Sequence, residues 1–332
     1  MDACIDRLTP PLSSNLVSFD LAGTSLSNSD VIPLNSSIET LKLVDACIDR
    51  LAPFFSSNLV SLDLAGTSLT NSDAISLALL LKKTTRLETL ILVECNVHNI
   101  TCVAEALEGN KSLRTLDLSG NLSCIHSNRR YHRHSQSVFS DLPQDSQVDK
   151  LADMLSVNQT LQLLRLSDCG LNQDETSTLF QVFISNQNTT LLTLNVSDNH
   201  YNTKHLEEIL SSNTSIQYVE ITVTAAGKAN NTHLMMPYGV GSHSIIISDE
   251  DEPDSNDTSG PDTLAYVDES NTLDSLCQVI VSAVNKSTTL QHLIIHTLIE
   301  DQLKFKLTRC EDYDKVKNRI QIVQSDNPTI EE

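Results

Sequence analysis

A leucine-centred pattern that recurs along the chain constrains its fold more than any other feature. The spacing is LxxLxLxx(N/C/T)xL, and its clearest copies begin at Leu59, Leu87, Leu113, Leu161 and Leu191. Alternating apolar positions over so few residues predict a short strand with one buried face. The Asn, Cys or Thr that follows can bond the backbone of the turn leaving that strand. Each copy therefore predicts one strand of a repeating array.

Weaker copies and intervening helical segments complete the array. The weaker copies begin at Leu16, Ile38, Ile216 and Leu290. Segments with helical apolar spacing cover residues 73–84, 103–110, 148–158 and 205–213. A single strand–helix unit cannot cover its own apolar face, so neighbouring units must stack. The pattern predicts an α/β solenoid with parallel strands on the concave face and helices on the convex face.

Three segments carry a resemblance to a known repeat class: NKSLRTLDLSGN, NQTLQLLRLSDCGL and NTTLLTLNVSDN. They resemble the ribonuclease-inhibitor-type leucine-rich repeat, which also occurs in the carboxyl-terminal region of NOD-like receptors. The resemblance covers roughly residues 15–300 apart from two insertions, and it implies a horseshoe-shaped solenoid. Because this repeat supports many different partners, the resemblance says more about fold than about function.

The amino-terminal part contains an internal duplication. Residues 1–30 are repeated as residues 44–73, with 24 of 30 positions identical. Met1 aligns with a point inside the array. We therefore expect the carboxyl-terminal part of a longer protein, or a truncated product whose first repeat is exposed or covered by a partner, or else a capping helix over residues 1–14. The pattern divides the chain into amino-terminal repeats at 1–123, an insertion loop at 124–147, central repeats at 148–224, an acidic insertion at 225–271, a last repeat at 272–300 and a carboxyl-terminal cap and tail at 301–332.

The first insertion is rich in His and Arg. Its possible zinc ligands are Cys124, His126, His132 and His134. One Cys and three His among arginines are more typical of a solvated basic loop, so no metal site is expected. This loop could also contact an acidic partner.

The second insertion holds nine acidic residues between Asp249 and Glu269, and we expect it to be disordered. Its run of Ile245, Ile246 and Ile247 before Ser248 and four acids resembles a SUMO-interaction segment, in which an extended peptide adds a strand to a sheet. Ser248 also suits an acidophilic kinase. The favoured alternative is that the isoleucines form the buried strand of a decayed repeat.

The carboxyl-terminal segment shows apolar alternation at Leu303, Phe305 and Leu307. This alternation predicts an edge strand, whose neighbouring lysines and arginines would prevent pairing with another chain.

Composition excludes several classes of function. The formal net charge of −21 opposes binding to nucleic acid or to an anionic membrane. No apolar run is long enough to span a bilayer, and the amino terminus does not resemble a secretory signal, so we expect a cytoplasmic protein whose scattered cysteines remain thiols. The phosphate-loop, dinucleotide-binding, metalloprotease, hydrolase and kinase motifs are missing, so neither catalysis nor a cofactor is expected.

The remaining candidate site is the concave face. Outward strand positions and the turns beyond them supply the expected protein-binding residues. These are Asp20, Asp63, Ile91, Glu94, Asp117, Arg165, Asp168, Asn195, Asp198, Tyr201, Tyr218 and Glu220. The acidic residues predict a protein partner with a basic surface. The largest side chains of this face are the expected energetic anchors of the interface.

The leading functional hypothesis is a non-enzymatic interaction scaffold, as the resemblance to the sensing or autoinhibitory repeats of NOD-like receptors in innate immunity implies. Two alternatives stay open. One is a GTPase activator resembling the Ran-activating repeat proteins, with Asn128 and Arg129 as the candidate nucleotide-directed groups. The other is an inhibitor similar to ribonuclease inhibitor, although the absence of Trp counts against tight clamping.

Overall fold

The structure is a computed structural model that describes residues 17–20, 38–43, 58–97, 100–121, 147–223, 269–297 and 299–324. Several sequence predictions fall outside the described residues. They are the capping helix at 1–14, the possible zinc ligands and the candidate nucleotide-directed residues of the first insertion, and the segment from Ile245 to Ser248. These interpretations remain predictions.

One parallel sheet organises the described chain. Its ten strands follow one another in chain order, and each pairs with the next in parallel. The strands are β1 (Ser18–Asp20), β2 (Thr40–Lys42), β3 (Ser61–Asp63), β4 (Thr89–Ile91), β5 (Thr115–Asp117), β6 (Leu163–Arg165), β7 (Thr193–Asn195), β8 (Tyr218–Thr222), β9 (His292–Thr297) and β10 (Ile320–Gln324).

Helices connect most of these strands and pack against one another in chain order. They are α1 (Asn71–Lys83), α2 (Thr101–Glu108), α3 (Gln147–Val157), α4 (Gln173–Ile184), α5 (Thr203–Ser212), α6 (Glu269–Lys286), α7 (Glu300–Leu307) and α8 (Tyr313–Val316). The molecule is thus an α/β array of parallel strands and helices in one open, solenoid-like sheet, which confirms this part of the sequence prediction.

The core lies between the sheet and the helices. The central residues of successive strands, such as Leu62, Leu90, Leu116 and Leu164, are fully buried, whereas the residues on either side of them are mostly half-exposed. Each helix contributes one apolar stripe to the same core. The alternation expected from the repeat pattern is therefore confirmed.

A ladder of small polar side chains links the turns that leave the strands. Thr67, Cys95, Asn121, Cys169 and Asn199 each donate to a backbone carbonyl of the preceding repeat, at 2.6–3.3 Å. The two asparagines also accept backbone N–H groups of that repeat. We call this set the turn ladder; it confirms the role predicted for the Asn, Cys and Thr position.

A second ladder joins the helix ends. Asn110, Asn158, Asn188 and Asn213 are buried, and each Nδ2 donates to a carbonyl near the end of the preceding helix. Each Oδ1 accepts N–H groups two and three residues later, such as those of Thr160 and Leu161 from Asn158. These amides satisfy carbonyls that a helix end otherwise leaves without partners.

The turn after each of strands β3 to β7 contains a residue with left-handed backbone angles. This position holds Gly66, Glu94, Gly120, Asp168 and Asp198, with φ between 50° and 75°. At Gly120 a Cβ atom would come within 2.7 Å of the Glu94 Cγ, so glycine suits both the backbone angle and the close side chain.

The carboxyl-terminal end differs from the sequence prediction. The expected edge strand at Leu303, Phe305 and Leu307 is wrong, because these residues belong to α7. Leu303 and Leu307 are one helical turn apart and buried, whereas Phe305 is 58% exposed. The actual edge strand is β10, which pairs with β9.

Arg319 closes this end of the array. Its guanidinium group donates to the carbonyls of Val284, Ser287 and Leu290, at the end of α6 and beyond it. Burial lowers the pKa of this guanidinium from its ordinary value. Arg319 therefore donates to helix-end carbonyls, as the buried asparagines of the second ladder do in the earlier repeats.

Across the described ranges, no helix is both long enough and apolar enough to cross a membrane.

Candidate protein-binding face

The side of the sheet opposite the helices is the candidate functional site, and we call it the open face. Two columns of outward side chains run across its strands. The first column is Ser18, Thr40, Ser61, Thr89, Thr115, Leu163, Thr193, Tyr218 and His292. The second column is Asp20, Lys42, Asp63, Ile91, Asp117, Arg165, Asn195, Glu220 and Ile294.

Charges in the second column pair across neighbouring strands. Lys42 Nζ lies 3.6 Å from the Asp63 carboxylate, and Arg165 lies 3.5 Å from the Asp117 carboxylate. Both carboxylates also accept the backbone N–H two residues later, from Ala65 and from Ser119 respectively. Asp63 and Asp117 thus stabilise their own turns and also have basic neighbours in the column.

Asn195 and Glu220 form the next linked group. The Asn195 Oδ1 accepts the Ser197 N–H at 2.9 Å, and its Nδ2 donates to the Glu220 carboxylate at 2.8 Å. His296 Nε2 lies 3.5 Å from the same carboxylate. The Glu220 side chain is therefore held in place from both neighbouring strands.

Three of the predicted binding residues occupy the left-handed turns beyond the strands. Glu94, Asp168 and Asp198 are all exposed along one edge of the open face. The Asp198 carboxylate accepts the Thr222 hydroxyl at 3.0 Å, and the same hydroxyl oxygen accepts the Asp198 N–H at 2.9 Å. In the described part of the chain, the left-handed position holds only glycine or an acid.

Tyr201 lies apart from the other predicted anchors. Its ring packs against the core, and its hydroxyl donates to the Thr222 carbonyl at 2.5 Å. Burial, and secondarily the Asp198 carboxylate, raises the pKa of the Tyr201 phenol. The structure thus places Tyr201 as a link between repeats rather than on the open face.

Tyr218 is the largest predicted anchor on the open face, and its surroundings include residues that sequence reasoning missed. Tyr218 is in register with His292, and their rings stack with centroids 5.4 Å apart and planes 16° apart. The Tyr218 hydroxyl donates to Gln291 Oε1 at 2.9 Å. Applying the repeat spacing to the copy at Leu290 places His292 and Ile294 in the two columns, so a signal for them was present.

The described thiols are poor candidates for chemistry. Burial raises the pKa of Cys95, Cys169 and Cys277 to about 12, so each remains a protonated thiol near neutral pH. Of the residues that the structure describes, no three His, Cys, Asp or Glu side chains form a group that could hold a metal ion.

Comparisons with known proteins add little to this geometry. No family model matches the chain, and no curated protein matches it. Among solved structures, the chain is similar to actin-binding site 2 of leiomodin-1, with 13% identity, 64% of this chain and 89% of that chain covered, and a TM-score of 0.35. It is also similar to the tropomodulin carboxyl-terminal domain of Caenorhabditis elegans, with 11% identity, 65% and 94% coverage, and a TM-score of 0.35. The functional argument therefore depends on the chain's own residues.

Proposed function

We propose that the chain is a non-enzymatic, cytoplasmic interaction scaffold that binds a protein partner on the open face. The observation that carries this proposal is the exposure of one side of a ten-stranded parallel sheet. Parallel sheets are ordinarily covered on both faces. Within the described ranges, helices cover one face only, which leaves a large array of regularly spaced side chains available to a partner.

The geometry of the repeats favours a concave open face. Neighbouring strands lie about 4.8 Å apart, whereas packed helices lie about 8–10 Å apart. A stack with one strand and one helix in each repeat must therefore bend toward the sheet. This bending supports the proposed horseshoe shape, in which a concave surface can surround a partner more fully than a flat one.

The finer form of the proposal follows the resemblance to the repeat region of NOD-like receptors. In this form the open face senses a ligand or restrains an upstream domain of the same protein. An immunoblot of the source cells tests it, because a native band well above the 36.5 kDa of this chain is expected. A band at that mass would contradict it and leave a free-standing scaffold.

Site-specific photo-crosslinking tests the open face directly. Benzoylphenylalanine replaces Thr115 or Thr193 in the first column, and Glu105 on the exposed side of α2 provides the control. We expect one partner of the same mass to crosslink from both strand positions in a lysate of the source cells, and not from Glu105. Crosslinking from Glu105 alone, or from none of the three positions, would overturn the proposal.

A further inference from the structure

Large outward side chains are concentrated at one end of the open face. In strands β3 to β5 the first column carries only the small hydroxyl residues Ser61, Thr89 and Thr115. In strands β8 and β9 it carries Tyr218 and His292. Because large aromatic side chains supply most of the energy at protein interfaces, this end is the place to look for a specific contact.

The Tyr218 and His292 rings form a preorganised platform. Their stacking fixes both ring planes, and the bond from the Tyr218 hydroxyl to Gln291 fixes the position of the phenol. His292 and Gln291 are exposed and Tyr218 is half-exposed. A platform that is already ordered loses little conformational entropy when a ligand stacks on it.

A fixed carboxylate accompanies this platform. Glu220 lies two residues after Tyr218 on the same strand face, and its carboxylate reaches Asn195 on β7. Asn195 is in register with Glu220, just as Thr193 is in register with Tyr218. The same carboxylate lies 3.5 Å from His296 Nε2 on β9, so the carboxylate and the platform are neighbours along strand β8.

The charge of this region selects a cation. The strand and turn segments 191–199, 215–223 and 290–297 contain Asp198 and Glu220 but neither Lys nor Arg. A cation that stacks over an aromatic ring is stabilised by the ring quadrupole, and a planar guanidinium can stack and bind a carboxylate at the same time. Lysine has the charge but lacks the planar group.

We propose that Tyr218, His292 and Glu220 form a receptor for an arginine side chain of the protein partner. The guanidinium group stacks on the aromatic platform and donates to the Glu220 carboxylate. This inference rests on the proposed protein-binding function and specifies the chemistry of the partner at that face. It also explains why the aromatic pair and the fixed carboxylate occur on the same two strands.

Matched peptides test this proposal. The probes are acetyl-Gly-Arg-Gly-Arg-Gly-amide and two peptides with lysine or the uncharged isostere citrulline in place of arginine. Titrations are followed by the NMR shifts of backbone amides. We expect the arginine peptide to shift the amides around Tyr218, Glu220 and His292, and to bind about fivefold more tightly than the lysine peptide. Equal affinity for the three peptides would overturn the proposal.

Variants locate the contact and keep it distinct from a general charge effect. Tyr218→Ala should weaken arginine-peptide binding about fivefold or more, whereas Tyr218→Phe retains the ring and most of the affinity. Glu220→Gln should reduce the preference for arginine over citrulline to the part that the aromatic platform supplies. The control Glu105→Gln, on the exposed side of α2, should bind as the parent protein does.

The outcomes also separate this inference from the proposed function. A partner that crosslinks from Thr193 but binds equally well to the parent protein and to Tyr218→Ala would contradict the arginine receptor and leave the scaffold proposal intact. Loss of crosslinking from Thr115 and Thr193 alike would contradict the scaffold proposal itself. Circular dichroism of Tyr218→Ala establishes that the variant is folded before either conclusion is drawn.

Discussion

The middle of the array and its carboxyl-terminal end satisfy their backbones with different groups. Strands β3 to β7 have three residues each and end in left-handed turns, and the turn ladder links one repeat to the next. Strands β8 to β10 have five or six residues. At this end, the Thr222 hydroxyl accepts the Asp198 N–H, whereas in the middle a turn carbonyl accepts the equivalent N–H. The Arg319 guanidinium donates to helix-end carbonyls, as asparagine side chains do in the middle.

This difference affects what the outward positions can hold. In three of the five middle strands the second-column residue is a short acceptor that bonds the N–H two residues later, namely Asp63, Asp117 and Asn195. Ile91 and Arg165 occupy this position in the other two strands. Strand β8 continues past the corresponding point, so Glu220 does not bond the turn and can be longer. We infer that the outward position of Glu220 is less constrained by its turn than those of Asp63, Asp117 and Asn195.

The largest expected effect comes from breaking the turn ladder in the middle. Asn199 bonds three carbonyls and two N–H groups, all in or near the core. Asn199→Ala should lower the free energy of unfolding by about 3–5 kcal/mol, because buried backbone groups lose their partners. Urea denaturation followed by circular dichroism measures this change.

The matched control is Cys169→Ala, one repeat earlier. The Cys169 thiol donates to carbonyls and accepts the N–H groups of Gly120 and Asn121 only weakly, as sulfur does, so its loss should cost about 1–2 kcal/mol. If Asn199→Ala and Cys169→Ala were equally destabilising, the amide would not have the special role assigned to it here.

A smaller and more local effect is expected at the end of the array. Arg319→Met removes the donors to three carbonyls near the end of α6 and should cost about 2 kcal/mol, reduced from a buried value by partial solvation. Hydrogen exchange should accelerate in β9 and β10 while the amides of β4 to β7 stay protected.

Lys317→Met is the control for this prediction. Lys317 is exposed and pairs only with the Asp314 carboxylate among its described contacts, at 3.0 Å, so its loss should leave exchange unchanged. Accelerated exchange throughout the sheet in Arg319→Met would show that the end of the array is not a separate structural unit.

The two regions also show how much of the fold the sequence predicts. The period of the repeat predicted the strand centres, and their burial follows directly because Leu62, Leu116 and Leu194 alternate with polar neighbours. The same period was insufficient at Leu303 and Leu307, since a separation of four residues fits a helix as well as a strand. Short apolar runs therefore remain ambiguous without their flanking structure.

The candidate site was predictable in position but not in energetics. Spacing placed Asp117, Arg165 and Glu220 on the outward side of their strands. It could not show that Asp117 bonds Ser119 and pairs with Arg165, because these contacts depend on side-chain rotamers and on strand register. Likewise, the stack of Tyr218 on His292 joins residues separated by a long insertion.

Alkaline pH should lower the free energy of unfolding, because two turn-ladder positions in the middle are thiols. Burial raises the pKa of Cys95 and Cys169 to about 12, whereas the ordinary value is 9.0. Between these values the unfolded chain releases the proton and the folded chain keeps it. Each thiol should therefore make the free energy of unfolding fall by about 1.4 kcal/mol per pH unit in that interval.

The test is Cys169→Ser, which keeps a donor for the Leu118 carbonyl and removes the titrating group. Urea denaturation between pH 8.5 and 11 measures the slope. The variant should show a shallower decline than the parent protein, with the difference absent below the ordinary pKa of the thiol. An unchanged slope would mean that Cys169 ionises equally in both states.

The smallest effect is expected where the middle meets the end, at Thr222. Thr222→Val keeps the shape of the side chain but removes both hydroxyl contacts with Asp198. Because Asp198 is exposed, water can replace these contacts, and the expected loss is about 0.5–1 kcal/mol, measured by urea denaturation. Thr222→Ser retains the hydroxyl and should match the parent protein. A loss of unfolding free energy as large as that of Asn199→Ala would contradict this expectation. It would show that side chains at the carboxyl-terminal end link the repeats as strongly as the buried turn ladder does. The outward positions at that end would then be no less constrained than those in the middle.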